Sequence, residues 1–382
     1  MSTKRIFIIG TTASNLYLFR KDFIISCVGN SYTVYALVSE YDDFWLEKIK
    51  NLGIEVITYN LSRSGLNPFK DLKTLLQLKK LISTYKPDIV FSFFTKPIIY
   101  GSLAGRLSKV PKVIGMIEGL GSPFTEHPHG QSFKMKLIQF FQVSLYRVVF
   151  PFIDKIIFLN HDDPKDLIIN KKIYHRKGAI QVLGGIGLNL NEFPYSLWDV
   201  TKPITFIIVA RLLVEKGIYE YLEAAKIVKK QYPNVIFKVL GGLDISNPSA
   251  LSKKELDEVI ATGVISYVGF SHNVAQEIQD STVFVLPSYR EGVPRSTQEA
   301  MAIGRPIITT DVPGCRETVI DGLNGFLVPK WDVEKLAEKM IFFIENPEQV
   351  YIMGKQSYNL AYDNFDVNKV NVKLSNILEI KF

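Results

Sequence analysis

"VFVLPSYREGVPRSTQEAMAIGRPIITT", residues 283–310, decides how this chain is read. It begins as an apolar run, turns through a Gly/Pro loop, takes up a helical period and closes on a β-branched run. "VFVLPS" is apolar at consecutive positions, as a strand covered on both faces of a parallel sheet must be. "RSTQEAMAIG" predicts a helix with Pro294 near its first position, where the missing N–H costs least. Glu291 stands in the loop and Glu299 in the helix, with seven residues between them. Free amides and the positive dipole end at that helix start favour anionic oxygen. Glu299, more than a turn along, can face the same side as the loop, so one carboxylate can hold sugar hydroxyls and the other a ribose diol.

The same alternation runs outward in both directions. "RIFIIG", "TVYALVS", "IEVITY", "DIVFSFF", "KVIGMIE" and "KIIFLN" read as strands in the first half, separated by stretches of helical period. "ITFIIVA", "VIFKVLGG", "ISYVGF", "RPIITT" and "GFLVP" join the quoted strand in the second. Strands alternating with helices predict βαβ units, hence an α/β fold of two doubly wound, Rossmann-like parallel-sheet domains. A chain of 382 residues is long enough for two cores. "LNLNEFPYSLWDVTKP" (188–203) lacks either period and carries two prolines, which marks it as the linker between a domain over 1–190 and another over 200–361. Two such sheets facing a cleft would bind ligands at the carboxyl ends of their strands.

Composition narrows the function. At 47% hydrophobic and 22% charged residues the chain is a folded globular protein. Cys27 and Cys315 are far apart, and the five histidines (His127, His129, His161, His175, His272) lack zinc-ligand spacing, so neither a disulfide framework nor a metal site is expected. His127 and His129 flank a proline and read as a solvated loop. No apolar run reaches the roughly 18 residues of a membrane span. The net charge of +7 is uneven: residues 1–200 hold 25 Lys+Arg against 16 Asp+Glu, and the rest hold 20 against 22. A basic first half points to an anionic partner or to a solvated face. Nucleic acid is not expected, because the second half is slightly acidic and no known binding module is present.

"RLLVEKG" follows the strand "ITFIIVA" and sets Arg211 and Lys216 in one βα loop. An arginine fork and a compact ammonium suit a diphosphate, although two surface cations would read the same.

The quoted stretch continued through "DVPGCRETVIDGLNGFLV", together with "VARLLVEKG", "VLGG" and "YVGF", resembles the E-x7-E donor site of the retaining family 4 glycosyltransferases of GT-B fold. The resemblance covers the second half. It implies that Glu291 contacts the transferred sugar, that Glu299 holds the ribose, and that Arg211 and Lys216 bind the diphosphate and stabilise the leaving UDP. Gly292, Val293, Arg295, Gly241 and Gly242 fall in the donor-binding segments. Pro294 stands where many members have glycine, so one amide donor is lost; Arg295 beside it is a replacement charge or a surface arginine. The family uses no metal or cofactor. The resemblance also implies that a C-terminal helix at about 362–382 packs back on the first domain.

In the first half, "GTTASNLYLFR" sets Ser14 and Asn15 where they can cap a helix. "SRSGLNPFKDLKTLLQLKKLI" joins Arg63 to a basic amphipathic helix, and "GMIEGLGSPF" places Glu118 and Gly119 just past a strand. These pieces resemble a narrower group of bacterial transferases that add N-acetylgalactosamine in α1,3 linkage to sugars on undecaprenyl diphosphate, in O-antigen, capsule and N-glycan assembly. Ser14, Asn15, Arg63 and Gly119 would lie on the acceptor side. Glu118 would stand near the reacting centre, or else anchor its loop by accepting backbone N–H bonds. Asn160 and Asp163 read as cleft-facing or as helix caps, and Gly187 replaces an aspartate common in relatives.

A lipid-linked acceptor would place the protein in the cytoplasm, peripheral on the inner membrane through its basic first domain. "SFKMKLIQFFQVSLYRVVFPFIDKIIF" (132–158) reads either as that contact or as a core helix. The helix around Lys73, Lys79 and Lys80 is an equal candidate. The expected activity is transfer of a hexosamine from a UDP-sugar to a polyprenyl-diphosphate-linked saccharide. A soluble acceptor, a sugar-nucleotide epimerase or a non-catalytic nucleotide-sugar-binding protein would keep the same donor site.

Overall fold

The computed structural model describes residues 3–62, 67–244, 247, 249–271 and 273–381; Arg63 and His272 lie outside them. The chain divides into two compact units, one of residues 1–119, 136–186 and 367–382, the other of 120–135 and 187–366.

The first unit holds seven strands, β1 (Arg5–Ile9), β2 (Thr33–Val38), β3 (Glu55–Thr58), β4 (Ile89–Phe93), β5 (Lys112–Ile117), β6 (Lys155–Phe158) and β7 (Ile180–Val182). They are parallel, in the order β3-β2-β1-β4-β5-β6-β7. Between them run α1 (Ala13–Gly29), α2 (Asp43–Lys50), α3 (Pro68–Tyr85), α4 (Thr95–Leu107), α5 (Phe133–Val149) and the single turn α6 (Asp162–Pro164). Every residue of β4 is buried, which is why that strand reads as an apolar run interrupted only by Ser92. α3 starts where Asn67 accepts the Lys70 amide at 3.1 Å with Pro68 in its first turn, a cap and a pre-set φ acting together.

The second unit has β8 (Thr205–Val209), β9 (Ile236–Leu240), β10 (Ser266–Gly269), β11 (Val283–Leu286), β12 (Ile307–Thr310) and β13 (Gly325–Val328), parallel in the order β10-β9-β8-β11-β12-β13. Its helices are α7 (Ile218–Gln231), α8 (Lys253–Ala261), α9 (Val274–Gln279), α10 (Arg295–Ile303), α11 (Val333–Glu345) and α12 (Glu348–Asn364). The last helix, α13 (Val367–Leu378), belongs to the first unit, where Lys373 donates to the Leu183 carbonyl at 2.6 Å. Each sheet reverses its strand order once, between β1 and β4 and between β8 and β11. In open parallel sheets ligands bind at such a reversal.

Three sequence expectations change. Residues 188–203 are aperiodic but not loose: buried Arg305 donates to the Ser196 carbonyl at 2.9 Å and to its hydroxyl at 2.8 Å, and Trp198 packs on Tyr351. Residues 120–135, inside the expected first domain, cluster with the second unit. The wide apolar face of α5 is not all core, since Phe140 and Val148 are 61% and 57% exposed while Val143, Tyr146 and Val149 are buried. No described helix is long and apolar enough to cross a membrane.

Candidate functional site: the strand-order reversal of the second sheet

Past β8 the chain makes a short turn over Val214–Lys216 and enters α7 through Gly217, whose φ is +72°. A β-carbon on Gly217 would lie 2.1 Å from the Pro287 carbonyl oxygen, so only glycine lets this loop press against the one after β11. The Tyr289 amide donates to the Glu215 carbonyl at 2.9 Å and stitches the two loops together. Gly241, after β9, has φ +154° and closes on the Ala210 carbonyl with the same exclusion of a side chain.

That stitching brings Lys216 Nζ to 2.5 Å from Glu291 Oε1. Ser288, fully buried, donates its hydroxyl to the same oxygen at 2.8 Å. The Glu291 amide donates to the Pro313 carbonyl at 3.0 Å, so the loop is held from the β12 side as well. The two side chains are 22% and 11% exposed, enough for a ligand to reach them while most water is excluded. Arg211 lies in the open, 55% exposed, and donates to Asp244 at 3.1 Å. The two cations of "RLLVEKG" therefore rest on different acids.

α10 starts at Arg295 after Pro294, with no side-chain cap among the described residues. Pro294 stands one position ahead of the first helical residue. Arg295 is not a surface arginine: its side chain is 18% exposed and donates to Glu299 Oε1 at 2.9 Å. Burial, with a smaller push from Glu192, raises the Glu299 carboxyl above its usual range against the pull of Arg295. Gly292 and Val293 are buried in the loop between the two acids. Gly242 is half-buried beside Gly241.

Sequence reasoning missed the cluster around Tyr289. Its hydroxyl donates to buried Glu220 at 2.6 Å, and its ring meets Trp331 and His127 edge-on at 5.7 and 5.9 Å. Segment 120–135 docks on this cluster through Ser122 to Glu215 at 3.4 Å, Arg290 to the Phe124 carbonyl at 3.5 Å, and an ion pair of Glu126 with Lys330. His127 thus faces an aromatic ring, and His129 is the solvent-exposed member of the pair. The one available signal was "SYREG", whose tyrosine sits in an otherwise polar loop.

On the first unit, Thr12 and not Ser14 or Asn15 caps α1, its hydroxyl accepting the Asn15 amide at 3.2 Å. The Ser14 hydroxyl donates to Thr12 at 3.3 Å, and Asn15 lines a cavity of about 230 Å³ with Thr11, Phe94, Thr95 and Lys96 at the β1/β4 reversal. Glu118 pairs with the guanidinium of Arg20 on α1, so it anchors its loop through a side chain and not through backbone amides. Gly119, next to it, has φ +148°. Asn160, one residue ahead of the cap position of α6, accepts the Asp162 and Asp163 amides at 3.0 and 2.8 Å, and Asp163 is buried. Gly187 has φ +72°, a conformation that aspartate adopts with strain.

Comparison with known proteins identifies the family and the fold. The family described as glycosyl transferases group 1 matches residues 196–360, and glycosyl transferase 4-like matches 12–160. The capsular polysaccharide biosynthesis glycosyltransferase CapM of Staphylococcus aureus is 30% identical over 286 residues, 71% of each chain. This chain belongs to the glycosyltransferases. The enzyme is also 29% identical, over 97% of its own length and 98% of the relative's, to a Campylobacter jejuni protein named N,N'-diacetylbacillosaminyl-diphospho-undecaprenol alpha-1,3-N-acetylgalactosaminyltransferase. Its fold is that of Anabaena Alr3699/HepE, solved in complex with UDP, at a TM-score of 0.76 and 17% identity over 98% of this chain and 99% of that one. The glycosyltransferase fold is thus GT-B, with one parallel-sheet unit for each half of the sequence.

Proposed function

We propose that this glycosyltransferase moves N-acetylgalactosamine, or another N-acetylhexosamine, from its UDP-sugar to a saccharide on undecaprenyl diphosphate, with retention of configuration, in bacterial surface-glycan assembly. The observation that carries the reading is the Lys216–Glu291 pair at the β8/β11 reversal, with Arg211 in the same loop after β8 and Glu299 in the helix that follows β11. Lys216 and Arg211 would grip the diphosphate, and Glu291 and Glu299 would accept hydrogen bonds from sugar and ribose hydroxyls. The acceptor hydroxyl would attack C1 on the face that UDP leaves. The C1–O bond to UDP breaks as the bond to the acceptor oxygen forms, and a β-phosphate oxygen takes the proton. Fixed cations beside the departing diphosphate stabilise the charge that develops there, an effect of about 10²–10³ in rate for one such group. With those cations on the protein, turnover is expected without a metal.

The acceptor assignment is supported by the near end-to-end similarity to the Campylobacter jejuni transferase and by the segments around residues 62–69 and 118–122. Attachment to the cytoplasmic face of the inner membrane would use the basic first unit, whose Lys70, Lys73, Lys79 and Lys80 are exposed on α3. The test is a donor panel of UDP-GalNAc, UDP-GlcNAc, UDP-Gal and UDP-Glc against a synthetic lipid-diphosphate monosaccharide, with and without EDTA. NMR of the product should show an α-linked N-acetylhexosamine formed equally well in EDTA. Turnover with no donor refutes the reading, turnover with UDP-Glc alone corrects the donor, and a β-linked product overturns retention.

A further inference from the structure

We propose that an apolar groove on the first unit receives the isoprenoid tail of the acceptor; the inference rests on the lipid-linked acceptor proposed above. The groove, of about 550 Å³, lies among α3, α4 and α5 and is lined by Pro68, Leu72, Leu75, Tyr100, Phe141 and Leu145. Leu72 and Phe141 on its walls are 53% and 42% exposed, and Leu76 and Phe140 continue the apolar surface at 57% and 61%. Apolar side chains left open to water on two facing helices mark a surface with an apolar occupant.

What identifies the occupant is the polar end of the groove. Asp71 forms part of its lining, and Asp71 pairs at 2.9 Å with Lys96. Lys96 in turn lines the cavity at the β1/β4 reversal. One ion pair thus separates an apolar channel from a mixed pocket in which Thr11, Asn15, Thr95 and the cation Lys96 stand beside Leu61, Phe94 and Pro97. A ligand that fits both has an anionic head joined directly to a long hydrocarbon, which is the chemistry of a polyprenyl diphosphate. Phe94, in the same pocket, holds φ at +69° without being glycine, a strain that concentrates where a loop is shaped for a ligand. Exposed lysines 70, 73 and 136 on the two flanking helices match the anionic surface from which such a tail would be drawn.

The test uses the full chain carrying Leu72→Gln and Phe141→Gln together. Both side chains are largely exposed, so folding is retained and is verified by circular dichroism. The probe is undecaprenyl monophosphate in detergent, with inorganic diphosphate as a tail-less control and phosphatidylglycerol vesicles free of polyprenol as a bilayer control. Burial of isoprene carbons against two side chains predicts about a tenfold rise in Kd for undecaprenyl phosphate. Binding of inorganic diphosphate and sedimentation with vesicles should not change. An unaltered Kd overturns the groove. Lost vesicle sedimentation with Kd retained overturns it too, by making this face a bilayer contact. A wild-type chain whose affinity for undecaprenyl phosphate is no higher than for inorganic diphosphate likewise overturns it. If the chain transfers no sugar to any lipid-linked acceptor while its Kd still depends on Leu72 and Phe141, the acceptor reading fails and the groove stands. If transfer to the undecaprenyl-linked acceptor keeps its wild-type KM in the double variant, the groove fails and the acceptor reading stands.

Discussion

The two sheets reverse strand order at equivalent places, yet charge is arranged differently around them. Near the reversal of the first sheet the acid that the sequence singles out, Glu118, is held by Arg20, a cation only 2% exposed and clasped between Met116 and the Phe93 ring. At the reversal of the second sheet Glu291 is held by Lys216, a cation that solvent still reaches. In the first pair the acid is about as exposed as Glu291, 10% against 11%, but its cation is sealed inside the sheet-and-helix layer, so a ligand that displaced Glu118 would leave that arginine buried without a counter-charge. The second can trade Glu291 for a phosphate oxygen without exposing a buried charge. An ion pair with an inaccessible cation acts as architecture, and one with an accessible cation can act as a site.

That distinction breaks most visibly on stability. Arg20→Met would leave Glu118 enclosed without its counter-charge, and removing one partner of a buried pair costs about 3–5 kcal/mol. Urea unfolding of the variant is expected to show that loss, and Glu118→Gln, which strips the sealed Arg20 of its counter-charge, one of similar size. If Glu118→Gln keeps its stability but loses turnover, the first pair is a site after all and the contrast is lost.

The second region breaks on rate. Lys216→Met and Glu291→Gln are each expected to lower kcat about 10²–10³-fold with the fold intact. Because the two groups act on one another, the double variant should fall far short of the product of the single losses. Independent, multiplying effects would show that the 2.5 Å contact has no part in positioning either group.

The contrast also marks what the sequence could carry. Strand and helix alternation was legible because parallel strands covered on both faces are rich in consecutive apolar and β-branched residues, and β4, β11 and β12 are buried throughout. β7, three half-buried residues in a glycine-flanked segment, had no such signal. Lys216, Glu291 and Glu299 were legible because loop and helix positions within one or two βα units fix where they can point. Glu220 and the Tyr289 cluster were not, because their partners lie as far as 166 residues away and the pairing depends on contact between separate loops. The Glu118–Arg20 pair, 98 residues apart, was hidden for the same reason. For Arg295 the sequence allows a replacement charge or a surface arginine, and the helical spacing of four that sets it on Glu299 was the signal that could have found its partner.

A subtler difference within the second region concerns Glu299. Burial raises its carboxyl above the ordinary range, so the fold favours the neutral form. Its contribution to stability is therefore full below the ordinary carboxylate pKa and is lost as pH rises through the raised value. UDP affinity should run the opposite way. A ribose diol donates to the ionised carboxylate, so Kd for UDP should rise as pH falls through the raised value and flatten in Glu299→Gln. Calorimetric titration of UDP across that range checks it. An unchanged pH profile in the glutamine variant would remove Glu299 from the donor site.

The smallest effect expected is at Arg211, where the two sides of the comparison meet in one pair. Its contact with Asp244 is a surface ion pair, 55% and 28% exposed, and such pairs contribute roughly 0–1 kcal/mol to stability. Asp244→Asn should leave the unfolding midpoint almost unmoved. It should still change binding, because an acid that holds the guanidinium competes with the diphosphate for it. Removing the competitor is expected to tighten UDP binding by about two- to fivefold, since freeing a cation from one exposed pair is worth up to about 1 kcal/mol. The gain should shrink as salt shortens the Debye length from about 10 Å at 0.1 M toward about 3 Å at 1 M. Weaker UDP binding in Asp244→Asn would mean that the acid orients Arg211 toward the nucleotide and does not hold it back. In that case Arg211 would be positioned by its partner much as Glu118 is by Arg20, and accessibility alone would no longer separate the two regions.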